Sequence, residues 1–123
     1  MTPRDIAVKL FEIAEDRKAK NIRLLEITDL TVLADYFLIA TANSKTHIKT
    51  MAEEMAQQLK QNGEPVHRIE GHGGNNWMLL DFGCVVVHLF LPEAREFYNL
   101  DRVWADAKTV ERDGSGALLE ETV

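Results

Sequence analysis

The sequence predicts an α/β (α+β) domain in which a mixed β-sheet of about five strands is flanked by helices. Three observations predict it. Tyr36-Phe37-Leu38-Ile39-Ala40-Thr41 is apolar, aromatic or β-branched without polar interruption, the pattern of a strand buried on both faces. Ile48, Met51, Ala52, Met55 and Leu59 recur at the spacing of one helix face, with Lys49, Glu53, Glu54, Gln57 and Lys60 elsewhere on the helix surface. The runs Asn76 to Asp81 and Cys84 to Leu91 are joined too tightly for anything but an antiparallel hairpin.

Thr2 can cap a first helix and Pro3 suits its first position, where a missing N–H costs nothing. Ile6, Leu10, Ile13 and Ala14 carry that helix to about Lys20. Ile22 to Thr28 reads as a strand, Asp29 to Leu33 as a short connection, and Tyr36 to Thr41 as the central strand. Asn43 and Ser44 are caps for the second helix; Asn62-Gly63 closes it and Pro65 blocks its continuation. Val66 to Glu70 is a short strand and Gly71 to Asn75 a loop before the hairpin. The second helix, lying between two strands, favours a parallel pair around it. Pro92-Glu93 opens a last helical region with Phe97, Leu100, Val103 and Trp104 as its apolar positions. The folded domain therefore spans residues 1–108, and residues 109–123, with Gly114-Ser115-Gly116 among four carboxylates, read as an acidic, disordered tail.

Composition narrows the function classes. Apolar residues make up 46% and charged residues 28%, the balance of a soluble globular chain. No run reaches the roughly 20 apolar residues of a membrane span, and Met1 to Leu10 lacks a signal-peptide layout, so a cytoplasmic location without membrane attachment is the expectation. The net charge of −6 opposes autonomous nucleic-acid binding, which leaves direct RNA contact minor at most, and suits a basic protein partner. Cys84, the single cysteine, excludes an intrachain disulfide or a thiolate metal cluster.

Little in the chain suggests bond-making chemistry. His47, His67, His72 and His88 show no pair at the spacing that puts two imidazoles on one helix face, so no metal site is expected. Gly71-His72-Gly73-Gly74 leads into a strand, whereas phosphate-cradling loops lead into a helix N-terminus. Glu53 and Glu54 are adjacent on a helix and face different directions. Nucleotidyl transfer needs carboxylates converging on metal ions, and no Asp-x-Asp or Asp-x-Glu pair stands on a strand. No catalytic residue and no cofactor are expected.

Asp35 to Thr41, Asn43-Ser44 with His47, Glu70-Gly71, Trp77 to Gly83, Val85-Val86-Val87-His88, and Arg95, Phe97-Tyr98, Leu100 and Trp104 resemble, in that order, the ribosomal silencing factor (Iojap) family. The resemblance runs from about Leu10 to Ala107. It implies a mixed-sheet fold similar to nucleotidyltransferases but without their chemistry. It further implies a translational repressor that binds the large ribosomal subunit through ribosomal protein L-fourteen and obstructs docking of the small subunit when nutrients run short. The alternative is a nucleotidyltransferase-like enzyme or a nucleotide-binding protein. Cys84 departs from the family pattern, which has an acidic residue after the hairpin glycine.

Obstruction requires bulk at the right place, and the hairpin supplies apolar surface beyond what three short helices can cover. Trp77, Met78, Leu80 and Asp81 are the expected partner contacts, with Tyr98 and Arg95 as lesser ones; Tyr36, Leu79 and Val86 are expected in the core. Tryptophan and tyrosine dominate interface energetics. The competing possibility is that Trp77 is itself a core residue. An exposed patch of this kind could also pair two free copies as a weak homodimer.

Overall fold

Residues 1–112 and 118–121 are described by the computed structural model. Helix α1 spans Pro3–Asp16. It opens on a reciprocal cap: Thr2 Oγ1 accepts from the Asp5 N–H at 3.1 Å, and the Asp5 carboxylate accepts from the Thr2 N–H at 3.0 Å. It stops short of Lys20 because Lys18 takes a positive φ of 62°, which no helix continues. Strand β1 (Lys20–Glu26) and strand β2 (Tyr36–Thr41) follow, and all six residues of β2 are buried. Helix α2 (Lys45–Gln61) is capped by Ser44, whose Oγ accepts from the His47 N–H at 3.0 Å. Strands β3 (Arg68–His72), β4 (Trp77–Asp81) and β5 (Val85–Phe90) lead to helices α3 (Pro92–Tyr98) and α4 (Leu100–Val103), and strands β6 (Lys108–Arg112) and β7 (Leu118–Glu121) complete the described elements.

The strands form one seven-stranded sheet in the order β3-β4-β5-β2-β1-β6-β7. The parallel pair is β2 with β5, in register from Tyr36 opposite Val85 to Thr41 opposite Phe90, and the other neighbours are antiparallel. The mixed sheet agrees with the sequence reading, but the parallel pair differs from the one expected around the second helix. Helix α2 delivers the chain to the sheet edge at β3, and two hairpin turns bring it back to β2.

Alternation along the strands divides the core in two. Leu24, Leu38, Leu80, Val87 and Leu89 point to a first face covered by α1 and α2 through Leu10, Ile13, Met51, Met55 and Leu59. Leu25, Ile27, Phe37, Ile39 and Phe90 point to the second face, where Ala94, Tyr98, Leu100 and Trp104 of the α3–α4 region pack. Each large side chain buried completely in this way contributes roughly 1.5–3 kcal/mol.

Two expectations are corrected. Phe97 and Val103, expected among the apolar positions of the last helical region, are 81% and 67% exposed. Asn99, in the left-handed region at φ 49°, splits that helix, so a single helical period does not run through it. The segment beyond Lys108 was read as disordered, yet β6 pairs with β1 and sets Val110, 2% exposed, under the first-face helices. Its period of two, Thr109-Val110-Glu111, is masked in the sequence by the acidic composition around it. Strand β7 adds beyond β6, and residues 113–117 and 122–123 lie outside the described residues.

Candidate functional site

Helices α3 and α4 are too short to cover the second face. At the β3–β4–β5 end they leave a depression of about 420 Å³ lined by Leu33, Phe37, His67, Arg68, Leu79, Asp81, Gly83, Val86 and His88. Register places these groups together: Leu79 lies opposite His88, and Asp81 opposite Val86, across the β4–β5 ladder, while Phe37 lies opposite Val86 across β2–β5. Phe37 and His88 are buried and form the floor with the half-buried Leu79 and Val86. The 79% exposed Leu33 projects from the loop between β1 and β2, next to Val32, which is fully exposed.

Aromatic side chains form a wall beside the depression and meet its lining at His88. The Trp77 ring stacks on Phe90 at 5.2 Å and leans on Tyr98 at 4.6 Å and His72 at 4.9 Å. Its indole N–H donates to His88 Nδ1 at 3.2 Å. Burial, and secondarily the charge of His72, pushes the His88 pKa down from 6.5 to about 4, so the floor imidazole is neutral at ordinary pH. The rim along β3 is polar and mutually paired: Arg68 Nε lies 3.0 Å from Glu70, its guanidinium 3.9 Å from Asp81, and His72 lies 3.4 Å from Glu70. Exposed pairs of this kind are worth at most about 1 kcal/mol and can exchange partners cheaply.

The residues expected to contact a partner separate into different environments. Trp77 and Tyr98 are half-buried neighbours in the aromatic wall, so Trp77 is at once a packing residue and a surface one. Asp81 stands on the rim, where its Oδ1 accepts from the Gly83 N–H at 2.7 Å and shapes the hairpin turn. Gly83 has a φ of +87°, and any Cβ there would fall 2.8 Å from His67. Met78 lies on the opposite sheet face, beside Lys45, Ile48 and Lys49 of α2, and cannot share a patch with Trp77. Leu80 is fully buried beneath the first-face helices, which corrects its assignment as a contact: it alternates inward with Met78.

Arg95, expected as a lesser contact, serves in the free protein as a fastener, its side chain only 12% exposed. Its Nε and Nη2 donate to Asp101 at 3.1 and 3.0 Å, and its Nη1 to Thr41 Oγ1 at 2.9 Å and to the Asn21 carbonyl. Burial pushes the Asp101 carboxyl up, but hydrogen bonds and charge from Arg95, then Arg23, outweigh it and hold its pKa below 3.8. This network clamps α3 and α4 to the ends of β1 and β2 and so positions the aromatic wall. Tyr36 is core, as expected, but Leu79 and Val86 are not closed off, because no described element lies over them.

Of the residues lining the depression only Asp81 was an expected contact; Leu33, Phe37, His67, Arg68, Leu79, Gly83, Val86 and His88 were not. The available signal was the shared strand face of Trp77, Leu79 and Asp81 together with the brevity of the last helical region. Elsewhere, burial pushes the Cys84 thiol pKa up, so it is a poor nucleophile. Among the described residues, no three His, Cys, Asp or Glu side chains are grouped to hold a metal ion. No described helix is long and apolar enough to cross a membrane.

Comparison with known proteins identifies the family of the chain. The family model described as "Ribosomal silencing factor during starvation" matches residues 1–122. A ribosomal silencing factor of Halalkalibacterium halodurans is 33% identical over 114 residues, covering 93% of this chain and 97% of the relative. The chloroplastic Iojap protein of Arabidopsis thaliana is 38% identical over 105 residues, which cover 85% of this chain and 44% of that longer protein. The crystal structure of a Chromobacterium violaceum protein superimposes with a TM-score of 0.81 at 34% identity, covering 85% of this chain and 88% of the other. The chain belongs to the ribosomal silencing factor, or Iojap, family.

Proposed function

We propose that this protein is a translational repressor that docks on ribosomal protein L-fourteen of the large subunit through the uncovered half of its second sheet face, and that its bulk keeps the small subunit from joining. The observation that carries this reading is the depression itself. It has an apolar floor of Phe37, Leu79 and Val86 and a rim of paired charges, and the aromatic wall around Trp77 adjoins it through His88. An apolar centre within a polar rim is the usual anatomy of a protein interface. The net charge of −6 favours encounter with a basic ribosomal protein.

Nucleotide transfer is the alternative. Its place in an open sheet would be the crevice where β2 and β5 end, since those strands lead to helices on opposite faces. That crevice is lined by Asn43, Asn76, Leu91, Pro92, Glu93 and Ala94, with a single carboxylate where metal-assisted transfer needs two or three.

Cosedimentation with separated ribosomal subunits tests the proposal. The protein is expected to travel with the large subunit, and binding to the small subunit instead would refute it. In the free protein the same face can pair two copies weakly, which a concentration-dependent sedimentation coefficient would reveal.

A further inference from the structure

The floor of the depression contains one polar side chain, and its hydrogen bonding is incomplete. His88 is 5% exposed and lines the depression beside Phe37, Leu79 and Val86. Its Nδ1 accepts the Trp77 N–H at 3.2 Å, which leaves the proton of a neutral imidazole on Nε2. That Nε2 is shut from solvent and has no hydrogen-bond partner among the described residues. A buried donor left unpaired is unfavourable, and proteins rarely keep one without a use.

We propose that His88 is the polar specificity determinant of the docking site, and that its Nε2–H donates to a main-chain carbonyl oxygen of the partner seated in the depression. The inference rests on the docking reading above and deepens it. A donor on an apolar floor discriminates strongly, because a partner that presents only hydrocarbon there leaves the donor buried and unpaired. The surroundings favour an uncharged acceptor. Phe37 meets the imidazole edge-on at 4.9 Å, and apolar side chains line the rest of the floor, so a carboxylate would lose its hydration there. Asp81 on the rim and Glu70 on β3, two carboxylates against the one guanidinium of Arg68, would add like-charge repulsion. Because Nε2 is shut from solvent in the free protein, a partner must displace floor side chains to reach it.

Two substitutions separate this role from a structural one. In His88→Asn the amide oxygen can take the place of Nδ1 and keep the Trp77 hydrogen bond, but nothing replaces Nε2–H. In His88→Gln the amide N–H reaches the Nε2 position and the Trp77 acceptor is lost. Affinity for purified large ribosomal subunits is measured for both, with thermal melting and tryptophan emission recorded alongside.

His88→Asn is expected to weaken binding about tenfold while melting close to wild type, and His88→Gln to bind within about threefold of wild type. A Gln variant that binds at least about fivefold better than the Asn variant supports the assignment; any smaller difference overturns it. If wild-type protein fails to bind the subunits, the docking reading falls with it; if wild type binds and the variants are equal, the His88 assignment alone falls.

The acceptor's charge is read from the wild-type to Asn affinity ratio between about pH 6.5 and 8, in which the effects of His67, Arg68, Glu70, His72 and Asp81, common to both proteins, cancel. A constant ratio is expected. A ratio that rises as pH falls would mean that a carboxylate draws a proton onto His88, and would overturn the carbonyl assignment.

Discussion

Leu79 and Leu80 are adjacent on β4 and point to opposite faces of the sheet, so the same substitution at each should give opposite results. Leu80 is 0% exposed and packs in the first-face core, opposite Val87 on one side and Ile69 on the other. Leu80→Ala removes buried methyl groups beneath α2 and leaves a cavity, which costs about 3 kcal/mol. For a domain of this size that is roughly 10–15 °C of melting temperature. Leu79 is half-buried on the depression floor, opposite His88, and its truncation should cost stability about 1 kcal/mol. It also removes contact surface, so affinity for the large subunit should fall by about five- to thirtyfold. Thermal melting by circular dichroism and cosedimentation well below both transitions give the two quantities. The reasoning is refuted if folded Leu80→Ala loses as much affinity as Leu79→Ala, or if Leu79→Ala binds like wild type.

Trp77→Ala removes stacking on Phe90 and Tyr98 together with the hydrogen bond to His88, so stability in urea unfolding should fall by about 2 kcal/mol along with binding; loss of binding with unchanged stability would show that the wall does not contribute to packing. Arg95→Ala frees α3 from Asp101, Thr41 and Asn21, and hydrogen exchange should then quicken in α3 and α4 but not in α2; uniform quickening would argue against a local clamp. His88 binds its proton less readily folded than unfolded, its pKa falling from 6.5 to about 4, so its contribution is present above pH 6.5 and is lost as pH falls toward 4. That loss is on the order of 3 kcal/mol, and His88→Asn should flatten the stability profile in this window; an unchanged slope would contradict it.

The sequence was most legible where one physical signal dominated. Ser44 and Gly63 bracket α2, and its apolar stripe matches the buried Ile48, Met51, Met55 and Leu59. The unbroken β2 run is buried on both faces because helical elements lie over each. Legibility failed where tertiary placement decided. Thr109-Val110-Glu111 is too short and too acidic to stand out, and becomes a strand only because β1 offers an edge and α1 a core for Val110. For the site, periodicity separated Trp77 and Leu79 from Met78 and Leu80 but could not say which set the long helices would cover. Arg95 resembled a surface contact until Asp101, Arg23 and Thr41 were seen around it. His88 sits in a run of valines, and nothing local shows that its ring accepts from Trp77 and has no second partner among the described residues.

The central claim is steric, and its most direct measurement is light scattering during association of purified small and large subunits, with the large subunit first saturated with this protein. The account predicts that scattering fails to rise and that both subunits stay separate on a gradient, with the protein on the large one. Subunits that join normally while the protein remains bound to the large subunit would contradict it.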